Sequence, residues 1–130
     1  MDLLIVDTSK LPRMIDFSNA PVLDMKKALY RVHNKQELLE KVILVFKKNL
    51  LEKKETIATE LVNENWESLK LISHSLKGSS WTIGAQRLGD IAYAMEKASA
   101  SKDLPLFNHL FTILQNGIDQ VFNYLAENGL

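Results

Sequence analysis

The residues best suited to chemistry in this sequence lie in the segment His74-Ser75-Leu76-Lys77-Gly78. An exposed histidine offers a neutral, nucleophilic imidazole near pH 7, because the ordinary pKa of histidine is about 6.5. On a helix, residues three and four positions apart lie on neighbouring turns of one face. Lys77 and Gly78 would therefore flank His74 on one side, and Lys70 would flank it on the other. The pattern predicts a nucleophilic imidazole with positive charge beside it.

Gly78 needs an explanation, because a glycine inside a helix costs about 1 kcal/mol relative to alanine. One explanation is a helix end or a kink. We favour clearance, because the buried stripe of the same helix continues to Ile83. Without a Cβ at position 78, a phosphoryl group and a partner's active site could approach the imidazole closely. Lys77 and Lys70 would supply positive charge to the phosphoryl group and to the partner's active site. The alternative is that each lysine is an ordinary solvated surface charge without a role in binding.

An apolar stripe on the same segment predicts which face is buried. This stripe consists of Leu69, Ile72, Leu76, Ser80 and Ile83. A helical wheel places His74 roughly 140° from the stripe, so its imidazole should face solvent. Trp81 lies roughly 120° from the stripe, close to His74 and Gly78. We expect Trp81 either to contact a partner or to cover the N-terminal segment.

The run from His74 to Ala85 resembles the signature of histidine-containing phosphotransfer (HPt) domains, the intermediate carriers of multistep His–Asp phosphorelays. The resemblance extends over about residues 22–127, although the motif provides most of its specificity. Its specific matches are His74, Leu76, Lys77, Gly78, Ser79, Ser80, Ile83 and Gly84. Three positions depart from the family's pattern without affecting the transfer chemistry: Ser73, Asn65 and Trp81.

The resemblance implies a phosphocarrier without kinase activity or a nucleotide site of its own. His74 would be the phosphoacceptor, which receives a phosphoryl group from an aspartate of one receiver domain and passes it to an aspartate of a response regulator. Lys77 would be the nearby cation and Gly78 the close-approach glycine. No cofactor is implied for this chain, since the Mg²⁺ of the reaction belongs to the receiver.

The implied partners are response-regulator receiver domains and a hybrid sensor histidine kinase. Specificity in such systems lies in the surface around the histidine. Leu71, Ser75 and Trp81 are the candidates for that partner surface, and Lys70 and Lys77 would contribute to its electrostatics.

Helical periodicity along most of the chain predicts an all-α protein, an antiparallel up-down four-helix bundle with a short extra N-terminal helix or helices. We expect a short helix over about Val22–Val32, then a long helix that ends before Asn63. Residues 21–130 would form the bundle domain, and residues 1–20 would pack on it. The predicted buried stripe of the long helix is Leu39, Val42, Ile43, Phe46, Leu50, Ile57 and Leu61.

Composition narrows the function further. Sixteen basic and sixteen acidic residues give a net charge of zero, which argues against nucleic acid as the main partner. The chain has no cysteine, and its three histidines lie far apart in the sequence, so we expect no metal site. No stretch approaches the roughly 20 apolar residues of a membrane span. We expect a cytoplasmic monomer that binds neither nucleic acid nor a membrane.

Two other functions fit the same residues. The chain could be the phosphoacceptor domain of a larger histidine kinase, phosphorylated from ATP in trans, although an initial Met1 and a compact end favour a free-standing protein. It could also be a scaffolding bundle that binds receiver domains without transfer. The intact set from His74 to Gly78 argues against that scaffold.

Overall fold

The computed structural model describes residues 16–130, and every regular element in that range is helical. A 3-10 turn, Phe17–Asn19, precedes the α-helices. These are α1 (Met25–Arg31), α2 (Gln36–Val62), α3 (Trp66–Ile83), α4 (Gln86–Ala100) and α5 (Leu104–Glu127). The four long helices, α2 to α5, form an antiparallel up-down four-helix bundle with the short α1 added before it, which confirms the predicted fold class.

Capping residues explain several helix boundaries. Asp24, Asn65 and Asp103 are the N-caps of α1, α3 and α5, and each side chain accepts a hydrogen bond from a backbone N–H of the first turn. Each such bond satisfies a donor that the helix start leaves unpaired. Gly84 ends α3 at φ +90°, and a Cβ there would lie 2.8 Å from the carbonyl oxygen of Asp24. Helix α2 ends at Val62, which confirms that the long helix ends before Asn63.

The core is one cluster of apolar side chains between the helices. In α2, the predicted stripe is buried at Leu39, Ile43, Phe46, Leu50 and Ile57. Val42 is 38% exposed, so its assignment to the core was wrong, and Leu61 is only half-buried. The three- and four-residue spacing of apolar residues does not predict burial at Val42, because Val42 lies at the edge of the stripe. A residue at that edge has the same spacing whether its side chain faces the core or solvent.

Helix α3 packs most extensively against α4. Small buried residues line this contact, with Ser73 and Ser80 on α3 and Gly89 and Ala92 on α4. Small side chains let two helices approach closely, so the polar groups along the edge of the pair come within hydrogen-bonding distance. This contact positions the site described below.

The segment just before the bundle is bound to it by Arg87 of α4. Its guanidinium donates hydrogen bonds to the backbone carbonyls of Ser18 and Ala20 and to the side chain of Gln120 on α5. Phe17 is buried beside them. Residues 16–20 therefore pack on the bundle, whereas residues 1–15 of the predicted N-terminal segment lie outside the described residues.

Candidate functional site

His74 lies in the middle of α3, on the face away from the core. Its side chain is 64% exposed, while Leu69, Leu76 and Ser80 of the same helix are fully buried. The helical wheel therefore predicted the outward direction of His74 correctly. Since the ring is exposed, a partner can reach it without a rearrangement of the bundle.

Glu96 of α4 holds the imidazole from one side. One carboxylate oxygen, Oε2, lies 3.0 Å from Nδ1 of His74, and the other, Oε1, accepts a hydrogen bond of 2.9 Å from Nζ of Lys77. A single carboxylate thus bonds both the predicted nucleophile and the predicted cation. Glu96 is not among the site residues predicted from the sequence, and it is the candidate that the structure adds.

The environment of Glu96 favours its charged form. Burial raises the pKa of the carboxyl group, but the hydrogen bonds from Lys77 and His74, together with their charges, lower it by more. The net pKa lies below the ordinary value of 4.5. Glu96 is therefore an ionised hydrogen-bond acceptor at neutral pH, and both of its partners must donate.

The ionised carboxylate fixes the tautomer of the neutral imidazole. Because Glu96 can only accept, Nδ1 of His74 carries the proton and Nε2 keeps its lone pair. Among the described residues, no side chain bonds Nε2. The nucleophilic nitrogen of the ring is therefore Nε2, on the exposed side chain.

Lys77 is much less exposed than a surface lysine, at 17% of its side chain. Its Nζ lies 5.1 Å from the ring centroid of Tyr93 and 5.8 Å from that of Trp81, in addition to its bond with Glu96. Trp81 is half-buried against α4. The alternative prediction, that it covers the N-terminal segment, falls on residues 1–15, outside the described residues. The structure thus brings Lys77 and Trp81 together beside His74.

The other predicted site residues lie around His74 on α3. In the part of the chain that the structure describes, no atom of a neighbouring element lies within 4 Å of the position that a Cβ would take at Gly78. Leu71, Ser75 and Lys70 are exposed, and Lys70 makes no side-chain hydrogen bond with the described part of the chain. Lys70 is therefore near the imidazole along the helix but outside the hydrogen-bonded group.

An apolar groove lies between α2 and α3. Val42 and Val45 of α2 form one wall, and Gly78 and Thr82 of α3 form the other. Val42 and Val45 are exposed. Gly78 lies about one turn of α3 from His74, so the groove begins about one turn from the imidazole.

Over residues 16–130, the structure contains no group of three or more His, Cys, Asp or Glu side chains that could hold a metal ion. Within the same residues, no helix has the length and apolar character needed to cross a membrane.

The charge of Glu96 makes a testable contribution to stability. Folding lowers the pKa of Glu96, so its carboxylate stabilises the protein above pH 4.5, and this contribution is lost as the pH falls through the lower pKa of the folded state. We expect Glu96→Gln to lower the free energy of unfolding by about 1 kcal/mol at neutral pH, with the difference from the wild type vanishing in acid. Urea unfolding from about pH 7 to pH 3 measures this difference.

The control for this measurement is Glu127→Gln, at the exposed end of α5. Its difference from the wild type should stay near zero at every pH. A deficit of Glu96→Gln that did not change with pH would show that the charge of Glu96 is not what stabilises the fold.

Comparison with protein families agrees with the geometry of the site. The family model described as the Hpt domain matches residues 41–124, which is more than half of the chain and includes His74, Lys77, Gly78 and Glu96. No curated protein and no solved structure shows a significant match. Members of the family are phosphocarriers that work with receiver domains and histidine kinases in phosphorelays. The chain belongs to the Hpt domain family, whose function is histidine phosphotransfer.

Proposed function

We propose that this protein is a phosphorelay intermediate in which His74 accepts a phosphoryl group from a receiver-domain aspartate and passes it to the aspartate of a response regulator. The observation that carries the proposal is the exposed imidazole whose Nδ1 is bonded to Glu96. This arrangement leaves Nε2 as a nucleophile with its lone pair available. A hybrid sensor histidine kinase would supply the first receiver domain.

The proposed reaction balances without a cofactor bound to this chain. The lone pair of Nε2 attacks the phosphorus of the aspartyl phosphate, the N–P bond forms, and the P–O bond to the aspartate breaks with the carboxylate as leaving group. Nδ1 keeps its proton, and Glu96 stabilises the positive charge that develops on the ring. The second transfer is the reverse, onto the aspartate of the response regulator. The Mg²⁺ of both steps would belong to the receiver domains.

Gly78 and Lys77 suit this transfer for different reasons. Within residues 16–130, a Cβ at position 78 would meet no atom of a neighbouring element within 4 Å, so the packing of the bundle does not require a glycine. A glycine inside a helix lowers the stability of that helix, and we infer that it is present here because it leaves space for the partner. Lys77 supplies a cation one turn from the imidazole, which suits a dianionic phosphoryl group.

The docking surface is the face made of the apolar groove and the exposed residues next to His74. Val45, which lines the groove, is 58% exposed, and Leu71, about one turn before His74 on α3, is 62% exposed. An apolar surface next to a reactive group is typical of a partner interface. We infer that a receiver domain covers this face with its aspartate directed at Nε2.

Replacing the nucleophile tests the function directly. We expect His74→Gln to abolish acceptance of phosphate, because the amide has no nucleophilic ring nitrogen. The side chain is exposed, so the melting temperature should change little. Labelled phosphate transferred from a phosphorylated receiver domain measures acceptance. His109→Gln, an exposed histidine on α5, is the matched control. Label on the His74→Gln protein equal to that on the control would refute the proposal.

Gly78→Ala separates stability from transfer. We expect the free energy of unfolding to rise by about 0.5–1 kcal/mol, because alanine is the better helix former and its Cβ meets no atom of the chain. Transfer should slow by about tenfold, because the added methyl group displaces the partner from the imidazole. Denaturant unfolding and single-turnover transfer measure the two effects. Asn108→Ala, at an exposed position of α5, controls for helix propensity alone. If Gly78→Ala transferred phosphate at the wild-type rate, the proposal that Gly78 leaves space for the partner would be wrong.

Two neighbouring residues of α2 test the docking surface. We expect Val45→Asp to weaken receiver binding by about tenfold or more, because it places a charge in the apolar contact. Leu44→Asp is the matched control, since Leu44 is 67% exposed but does not line the groove. Titration calorimetry with a receiver domain compares the variants. If Val45→Asp and Leu44→Asp bound the receiver domain with equal affinity, the docking surface would not include the groove.

A further inference from the structure

Three residue pairs join α3 and α4 along the edge that carries His74. His74 contacts Glu96, and Lys77 lies over the ring of Tyr93. One turn further, Trp81 packs on Gly89. Each step of one turn along α3 meets a step of about one turn back along α4, as expected for antiparallel helices. The three pairs therefore depend on a single register between the two helices.

Trp81 is fixed in place by α4. A Cβ on Gly89 would lie 2.0 Å from Cδ1 of the indole, so only a glycine lets the ring rest on the α4 backbone. The indole Nε1–H donates a hydrogen bond of 3.0 Å to Asp90, whose carboxylate also accepts from Gln86 at 2.7 Å. The indole is thus held by contact on its face and by a hydrogen bond at its edge.

Tyr93 and Trp81 together surround the ammonium group of Lys77. Their ring centroids are 5.9 Å apart, with the planes inclined at 54°. Both centroids lie within 6 Å of Nζ, the range in which an aromatic face attracts a cation. A lysine normally keeps its ammonium group in water on a flexible stem. Here the two rings and Glu96 replace much of that water.

We propose that Trp81 and Tyr93 are positioning residues that hold Lys77 on Glu96 and thereby keep the carboxylate in place beside Nδ1 of His74. Neither ring touches the reacting atoms. They act through Lys77, which would otherwise extend into solvent. Lys97 also lies over the ring of Tyr93, with its Nζ 4.4 Å from the centroid, and it is the other cation next to this group. The effect on phosphotransfer rests on the proposed function, whereas the positioning of Lys77 does not.

The titration of Glu96 is the direct test of this positioning. In Tyr93→Leu, Lys77 loses an aromatic face, so the pKa of Glu96 should rise toward 4.5. The ¹³C signal of the labelled carboxyl group follows that titration. Tyr93→Phe keeps the face and should restore the wild-type value. Tyr30→Leu makes the same change at an exposed tyrosine of α1 and should leave Glu96 unaffected.

A second pair of variants tests the contact between Trp81 and Gly89. Gly89→Ala should displace the indole and raise the pKa of Glu96, as Trp81→Ala should. In a protein that already carries Trp81→Ala, Gly89→Ala should raise the pKa of Glu96 little further. The three atoms nearest to the added Cβ all belong to Trp81, which that protein lacks. Circular dichroism identifies the folded variants.

Phosphate acceptance by Tyr93→Leu should fall by about three- to tenfold, in line with the loss of one partly buried cation–π contact. Folded Tyr93→Leu and Trp81→Ala proteins in which Glu96 titrates as in the wild type would overturn the positioning role. If His74 accepts no phosphate in any variant, the proposed function fails. Even then, the change in the pKa of Glu96 in Tyr93→Leu and Trp81→Ala would show whether the two rings position Lys77.

Discussion

The carboxylate of Glu96 is shared between an imidazole and an ammonium group, and the properties of the site depend on this sharing. Because an ionised carboxylate can only accept, its bond with Nδ1 fixes the orientation and the tautomer of the neutral imidazole. The ammonium group of Lys77 bonds the other oxygen of the same carboxylate and so holds it in place. One side chain of α4 therefore orders both the imidazole and its neighbouring cation.

Exposure and order are difficult to combine in one side chain. A histidine on a helix surface rotates freely about its side-chain bonds, and its two neutral tautomers interconvert in water. In this protein the ring stays exposed, while its partner Glu96 belongs to a second helix and is largely shielded from solvent. The ordering of the imidazole therefore depends on the packing of α3 against α4 and does not require a closed pocket.

The sequence predicted features that depend on one helix at a time. Helical spacing predicted the outward face of His74 and the end of the long helix before Asn63. The sequence did not reveal Glu96, because its contact with His74 depends on the register of α3 against α4. Gly89, Tyr93 and Glu96 recur at four- and three-residue steps, which indicates one edge of α4. That spacing does not show which edge faces the histidine.

Two glycines show why the rest of the site needs three-dimensional information. Gly78 and Gly89 are both inside helices, where glycine costs about 1 kcal/mol relative to alanine. At Gly89, a Cβ would collide with the indole of Trp81, so the glycine serves the packing of the bundle. At Gly78, the same atom would meet nothing within 4 Å among residues 16–130, so the packing described for the bundle does not require a glycine there. One glycine serves a contact between two helices and the other leaves the surface of α3 open next to His74, a difference that only the surrounding atoms reveal.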